Sequence, residues 1–213
     1  MAVVWGVDVS SRALHAVAID DAGRVLDRRV IPASRMDDLA ALVAGAAVVA
    51  VDAPSGWSEG RHLDDADLPP KFRTARCGEV ALRARYGDAV PWPTPAGPGE
   101  RTGWMEVGIA VHERLADVAR TVEVFPHAAF LRLAGTRRLP RKSSPAGALR
   151  RAELLASAVE VDVDELVRWS VDDRDALAAA VTARDVARGR SAIAACDAHL
   201  DAAAIHLPAS PTT

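Results

Sequence analysis

The chain has 213 residues, half of them hydrophobic and 26% charged, with a net charge of −3. That is enough chain for a buried core and a normal soluble balance, which excludes a disordered segment. The acidic balance argues against a sequence-independent nucleic-acid coat. Lysine is confined to Lys71 and Lys142, and arginine carries the remaining basic charge. Arginine abundance beside heavy Ala and Val usage fits base composition, so it supports no phosphate claim by itself.

The chain opens on a buried-type strand over residues 3–9, ending near Asp8. Residues 13–20 (ALHAVAID) alternate, Asp21-Ala22-Gly23 turns tightly, and residues 24–31 continue the meander. Residues 36–44 predict a short amphipathic helix stopped by Gly45. Residues 47–52 (AVVAVD) predict a second buried strand, parallel to the first and ending on Asp52.

Beyond Asp52 the chain turns through Ala53-Pro54-Ser55-Gly56-Trp57 into an acidic loop. A basic helix is expected over 70–86, an irregular Pro/Gly-rich insertion over 87–103, a helix over 104–117 and a strand over 120–125. Residues 136–151 carry six basic residues and no acidic one. Helices follow over 145–158, 162–168 and 171–188, and residues 203–207 read as a last edge strand able to pair between chains. Together these elements predict an α/β ribonuclease H-like mixed sheet: an antiparallel three-strand meander plus parallel strands, with helices on both faces. One domain is expected over 1–208, with 209–213 a tail.

Cys77 and Cys196 show no metal or redox spacing in sequence, and neither an export signal nor a run of about 18 apolar residues is evident. These features predict a reduced, cytoplasmic protein without a membrane span.

Carboxylates carry the chemical signal. Asp8 and Asp52 end adjacent parallel strands, the usual ligand crevice of such sheets. Asp172 and Asp175 are three residues apart on one face of the last long helix, whose Ala176, Leu177, Ala180 and Val181 let its backbone approach the sheet. Such a set suits hard divalent cations beside a phosphodiester. The simpler readings are Asx turns at the strand ends and helix capping at Ser170-x-x-Asp173. Glu123, within an apolar strand, requires a metal, a buried partner or an edge position facing solvent. His127 suits a proton shuttle, a ligand or a helix cap. Lys71, Arg73, Arg76 and Lys142 are candidate phosphate contacts, and Trp57, Trp92 and Trp104 either stack on bases or plug loops.

Gly6-Val7-Asp8, Val51-Asp52-Ala53-Pro54-Ser55-Gly56, Arg73 with Arg76-Cys77, Glu123-Val124-Phe125-Pro126-His127, the Ser143/Ser144-to-Gly147 stretch and Asp172-Asp173-Arg174-Asp175-Ala176-Leu177 occur in family order. Together they resemble domain-of-unknown-function family 429, whose members are described as predicted nucleases of ribonuclease H-like fold. The Asp172-to-Leu177 run also resembles the end of RuvC-type junction resolvases, where two carboxylates bind metal. The resemblance implies a Mg²⁺- or Mn²⁺-dependent nuclease acting on DNA or RNA, with Asp8, Asp52, Asp172 and Asp175 as ligands. Those enzymes usually carry a Glu where Asp52 stands, and Glu123 is the candidate longer arm. Arg73, Arg76, His127 and Lys142 would then contact substrate. Two other readings stay open: a non-catalytic binding or regulatory domain, and a nucleotide-binding phosphotransferase relative. The latter is weakened by chain length and by the lack of a GxxxxGK[ST] loop.

Overall fold

A computed structural model describes residues 2–87, 93–196 and 203–210. Strands β1 (Val3–Val9), β2 (Ala13–Asp20) and β3 (Val25–Pro32) form the expected antiparallel meander. After helix α1 (Met36–Val43), strand β4 (Val48–Asp52) returns parallel to β1. Strand β5 (Thr121–Val124) pairs parallel to β4. The seven-stranded order is β3-β2-β1-β4-β5-β7-β6, with β6 at Ala192–Ala194 and β7 at Ile205–Leu207. A meander continued by parallel strands is the ribonuclease H-like arrangement, and the fold is the one expected.

Two sequence readings change. The strand at 203–207 is not an edge: β7 lies between β5 and β6, parallel to one and antiparallel to the other. The edge is β6, spanning only Ala192–Ala194 and too short for alternation to reveal it. The helix expected over 70–86 breaks in two: a 3₁₀ turn at Pro70–Phe72 is separated from helix α2 (Cys77–Tyr86) by Arg76, whose backbone is extended. Glu79 closes the start of α2 by accepting from the Arg76 backbone N–H at 3.0 Å.

Strand alternation divides the core. Val4, Val48, Ala50, Val122 and Val124 face helix α7 (Val171–Ala187) together with α4 (Pro126–Leu133), α5 (Pro145–Ala156) and α6 (Val163–Arg168). Trp5, Val7, Val9, Val49 and Val51 face α1 and α3 (Gly103–Leu115). Residues 173–186 of α7 are all buried, and the small side chains of Ala176, Ala178, Ala179 and Ala180 let the helix lie close against the strands. Among the described residues no helix is long and apolar enough to cross a membrane.

Candidate functional site

Asp8 and Asp52 are register partners on β1 and β4, so their side chains leave the sheet side by side on the α7 face. Their carboxyl groups hydrogen-bond to each other, which requires one of them to hold a proton. Asp175, on the second turn of α7, is 4% exposed. Asp172, one turn earlier, stays half-exposed and lines the same cleft of about 250 Å³ as Asp8 and Asp52.

Burial and then the negative charges of Asp175 and Asp172 push Asp8 up to about 7. Burial, Asp8 and Asp175 raise Asp52 well above the carboxylate range. Burial raises Asp175 too, against the pull of Lys142 and Arg151. The Lys142 ammonium donates to Asp175 at 2.8 Å. Burial pulls the lysine down, but Asp175, Asp8 and Asp52 outweigh it and hold it above its ordinary range. Three carboxylates thus gather around one ammonium, with Asp172 adding negative charge beside Asp8 and Arg151 adding positive charge beside Asp175.

His15 stands beside the acidic group, although no local motif marks it. It is the cross-strand partner of Asp8, its Nδ1 lies 2.8 Å from Asp173, and its Nε2 is 3.7 Å from Asp172. The hairpin register, readable from the turn at residues 10–12, is the signal that points to it. Asp173 has a structural role: its backbone N–H donates to the Ser170 hydroxyl at 3.0 Å, capping α7. Its carboxylate pairs with His15 and Arg28 and also hydrogen-bonds the Ser170 side chain.

Glu123, expected among the catalytic carboxylates, points elsewhere. It pairs in register with Val51, so it leaves the sheet on the face opposite Asp52 and borders the far end of the cleft. There it is 6% exposed and fully engaged. Arg76 grips both carboxylate oxygens, one at 2.7 Å, while the Ser55 backbone N–H and hydroxyl donate at 2.8 and 3.0 Å. Arg76 is correspondingly not an open phosphate contact. It is 5% exposed and held between Glu123 and Glu79, and although burial lowers its pKa, those partners raise it further. Glu79 in turn accepts from the Thr94 backbone N–H at 3.0 Å, tying that segment down over the start of α2.

Arg73 lies in the turn after the 3₁₀ segment, with Nε donating to the Leu68 carbonyl, and is not among the described residues lining the cleft. His127 sits behind Lys142 beside Arg151. Because a guanidinium only donates, the 3.3 Å contact makes Nδ1 the acceptor and leaves the ring proton on Nε2. Burial, Arg151 and Lys142 push His127 down to about 4, so it is neutral at physiological pH. Arg151, part of the basic run, points inward to the Pro140 and Gly147 carbonyls. Trp104 lines the cleft, Trp57 lines a neighbouring one, and Trp92 lies outside the described residues.

One further grouping defeats the sequence reading of the cysteines. Cys77 and Cys196 converge on His62, whose Nε2 is 3.4 Å from each sulfur. Among the described residues, this trio alone brings three His, Cys, Asp or Glu ligand atoms within 4.8 Å of one another. The aspartates of the cleft are set more widely.

Two RuvC structures from Thermus thermophilus are similar to this chain. One matches at 16% identity over 88% of this chain and 96% of RuvC, with a TM-score of 0.46. The other, RuvC in complex with a Holliday junction substrate, matches at 14% identity over 89% and 97%, with a TM-score of 0.44. No curated protein matches the chain. A family profile described as "Protein of unknown function (DUF429)" matches residues 6–210, and the chain belongs to that family.

Proposed function

We propose that the protein is a divalent-metal-dependent nuclease, hydrolysing a phosphodiester in the cleft lined by Asp8, Asp52 and Asp172, with Asp175 buried beside it and held by the cleft residue Lys142. The observation that carries this reading is the charge imbalance: desolvated carboxylates crowd one another until Asp8 titrates at about 7, with Lys142 as their shared cation. Perturbation of that kind, from burial plus named charged neighbours in a cleft, is characteristic of functional sites. The donor set is all carboxylate oxygen, which suits Mg²⁺ or Mn²⁺ and not a thiophilic ion. Asp8, Asp52 and Asp175 would hold the ion, with Asp172 at the open side.

A bound divalent ion would supply Lewis-acid activation and charge neutralisation at a phosphodiester. The residues of the chain do the rest. Asp8 and Asp52 share a proton that they would have to release to hold an ion. Lys142, half-exposed and paired with Asp175, could donate to a phosphate oxygen if that carboxylate turned to an ion. His127, uncharged beside it, adds no competing charge. Glu123 and Arg76 act as positioning residues, bracing the turn after β4 from the other sheet face.

Calorimetric titration of Mn²⁺ into wild type and Asp8→Asn, followed by cleavage assays on single strands, hybrids and branched DNA, tests the proposal. Saturable binding lost in the variant, with Mn²⁺-dependent cleavage by wild type, is the expected result. Binding without cleavage of any of these substrates would favour a non-catalytic binding domain that keeps the ion, and no binding even with nucleic acid present would remove the metal.

A further inference from the structure

We propose that His62, Cys77 and Cys196 form a second metal site, chemically distinct from the carboxylate cleft, that takes Zn²⁺. Two thiolates and an imidazole are soft and borderline donors, which select zinc over the hard ions suited to the aspartates. Zinc bond lengths of about 2.3 Å to sulfur and about 2.0–2.1 Å to nitrogen give a tetrahedral S···N edge of roughly 3.6 Å. Both edges here are 3.4 Å. Both sulfurs therefore already stand at coordination spacing from the imidazole nitrogen, all three donor atoms lie within 4.8 Å of one another, and a fourth tetrahedral position is left open.

The fold builds this convergence from three distant segments. His62 lies in the turn at 61–64, Cys77 is the first residue of α2, and Cys196 follows β6. Gly78 makes the meeting possible: a Cβ there would stand 2.4 Å from the Ala203 carbonyl oxygen and 3.1 Å from that of Ala194. Any other residue would push α2 away from the β6–β7 hairpin and separate the sulfurs. Cys77 is buried while His62 and Cys196 are partly exposed, so an ion has a route in. Bound zinc would clamp the 61–64 turn and α2 to the C-terminal hairpin, next to Arg76.

The test uses the full chain, reduced and chelator-stripped, titrated with Zn²⁺ by calorimetry and with Co²⁺ by absorption spectroscopy. We expect one equivalent of Zn²⁺, a thiolate-to-cobalt charge-transfer band, and both thiols protected from a thiol reagent when zinc is present. His62→Ala should weaken Zn²⁺ binding at least about 10-fold, and Cys77→Ser or Cys196→Ser by more than about 100-fold. Asp8→Asn should leave the charge-transfer band intact, which separates this site from the carboxylate cleft. Zinc uptake that vanishes in Asp8→Asn with no thiolate band would overturn the proposal. So would wild-type thiols that react equally fast with and without zinc, a result that needs no variant to fold. A Cys77–Cys196 disulfide that, once reduced, takes up no zinc would assign the pair to redox chemistry instead.

Discussion

Gly6 on β1 and Ala180 on α7 meet backbone to backbone: a Cβ added at Gly6 would stand 2.1 Å from the Ala180 nitrogen and 2.1 Å from the Ala176 carbonyl oxygen. Gly6 lies two residues before Asp8 on the same face of the strand, and Ala176 follows Asp175 directly. The glycine therefore sets how closely the helix carboxylate approaches the strand carboxylates. Asp has a short side chain, so the backbones must close the distance.

Gly6→Ala should consequently damage both fold and site. The contact is with backbone on both sides, so no rotamer change relieves it, and a loss of about 3 kcal/mol or more is expected in urea melts. Where the variant still folds, Mn²⁺ affinity should drop with it, because Asp175 is displaced from Asp8.

Asp8→Asn should stabilise the metal-free protein, increasingly so as pH rises. Asp8 titrates at about 7 in the folded chain against 3.8 for an ordinary Asp, so between those values the native state binds the extra proton. Stability from this group is fully present below about pH 4 and is lost as pH rises to 7, by at most about 1.4 kcal/mol for each pH step of one. His127 acts in the opposite sense, remaining neutral down to about 4 and losing stability as pH falls below 6.5. That contribution is common to both proteins, so the difference between their melting curves reports the Asp8–Asp52 pair, whose titration the substitution changes. The difference should be near zero at about pH 4, reach a few kcal/mol by about pH 8, and be reversed by Mn²⁺. A difference that stays flat across this range would show that the Asp8–Asp52 pair does not hold a proton.

Lys142→Ala should separate ion binding from chemistry. The ammonium competes with a metal for Asp175, and a half-exposed ion pair of this kind is worth about 1 kcal/mol. Its removal should tighten Mn²⁺ binding about 5-fold while lowering the cleavage rate, since the phosphate loses its donor. Weaker binding and unchanged turnover would reverse the assignment.

Glu123→Gln should cost stability and spare the metal. It leaves Arg76 buried with one counter-charge removed, and breaking a buried pair in this way costs about 3 kcal/mol. Because Glu123 leaves the sheet on the face opposite Asp52, Mn²⁺ affinity under conditions where the variant is folded should change less than about 3-fold. A collapse of binding without loss of fold would make Glu123 a ligand after all.

The sequence by itself determined the meander, the parallel strands bearing Asp8 and Asp52 near their C-terminal ends, and the acidic start of α7. Those features are local: alternation, apolar runs and turn residues act over a few positions, and the strand-end aspartates follow from where the runs stop. It also carried the pairing of Asp8 with His15, because a hairpin fixes register across a short turn. Only the tertiary structure decided the rest. Whether Glu123 shares a face with Asp52 depends on the β4–β5 register, set by packing between segments about seventy residues apart, and a shift of one residue would invert it. Arg76 reads as a free cation until the fold buries it between two glutamates. Cys77 and Cys196 look unrelated at any sequence spacing, and they meet because Gly78 lets a helix close on a hairpin. Burial of charge and contact between distant segments are properties of the packed chain, and local pattern does not encode them.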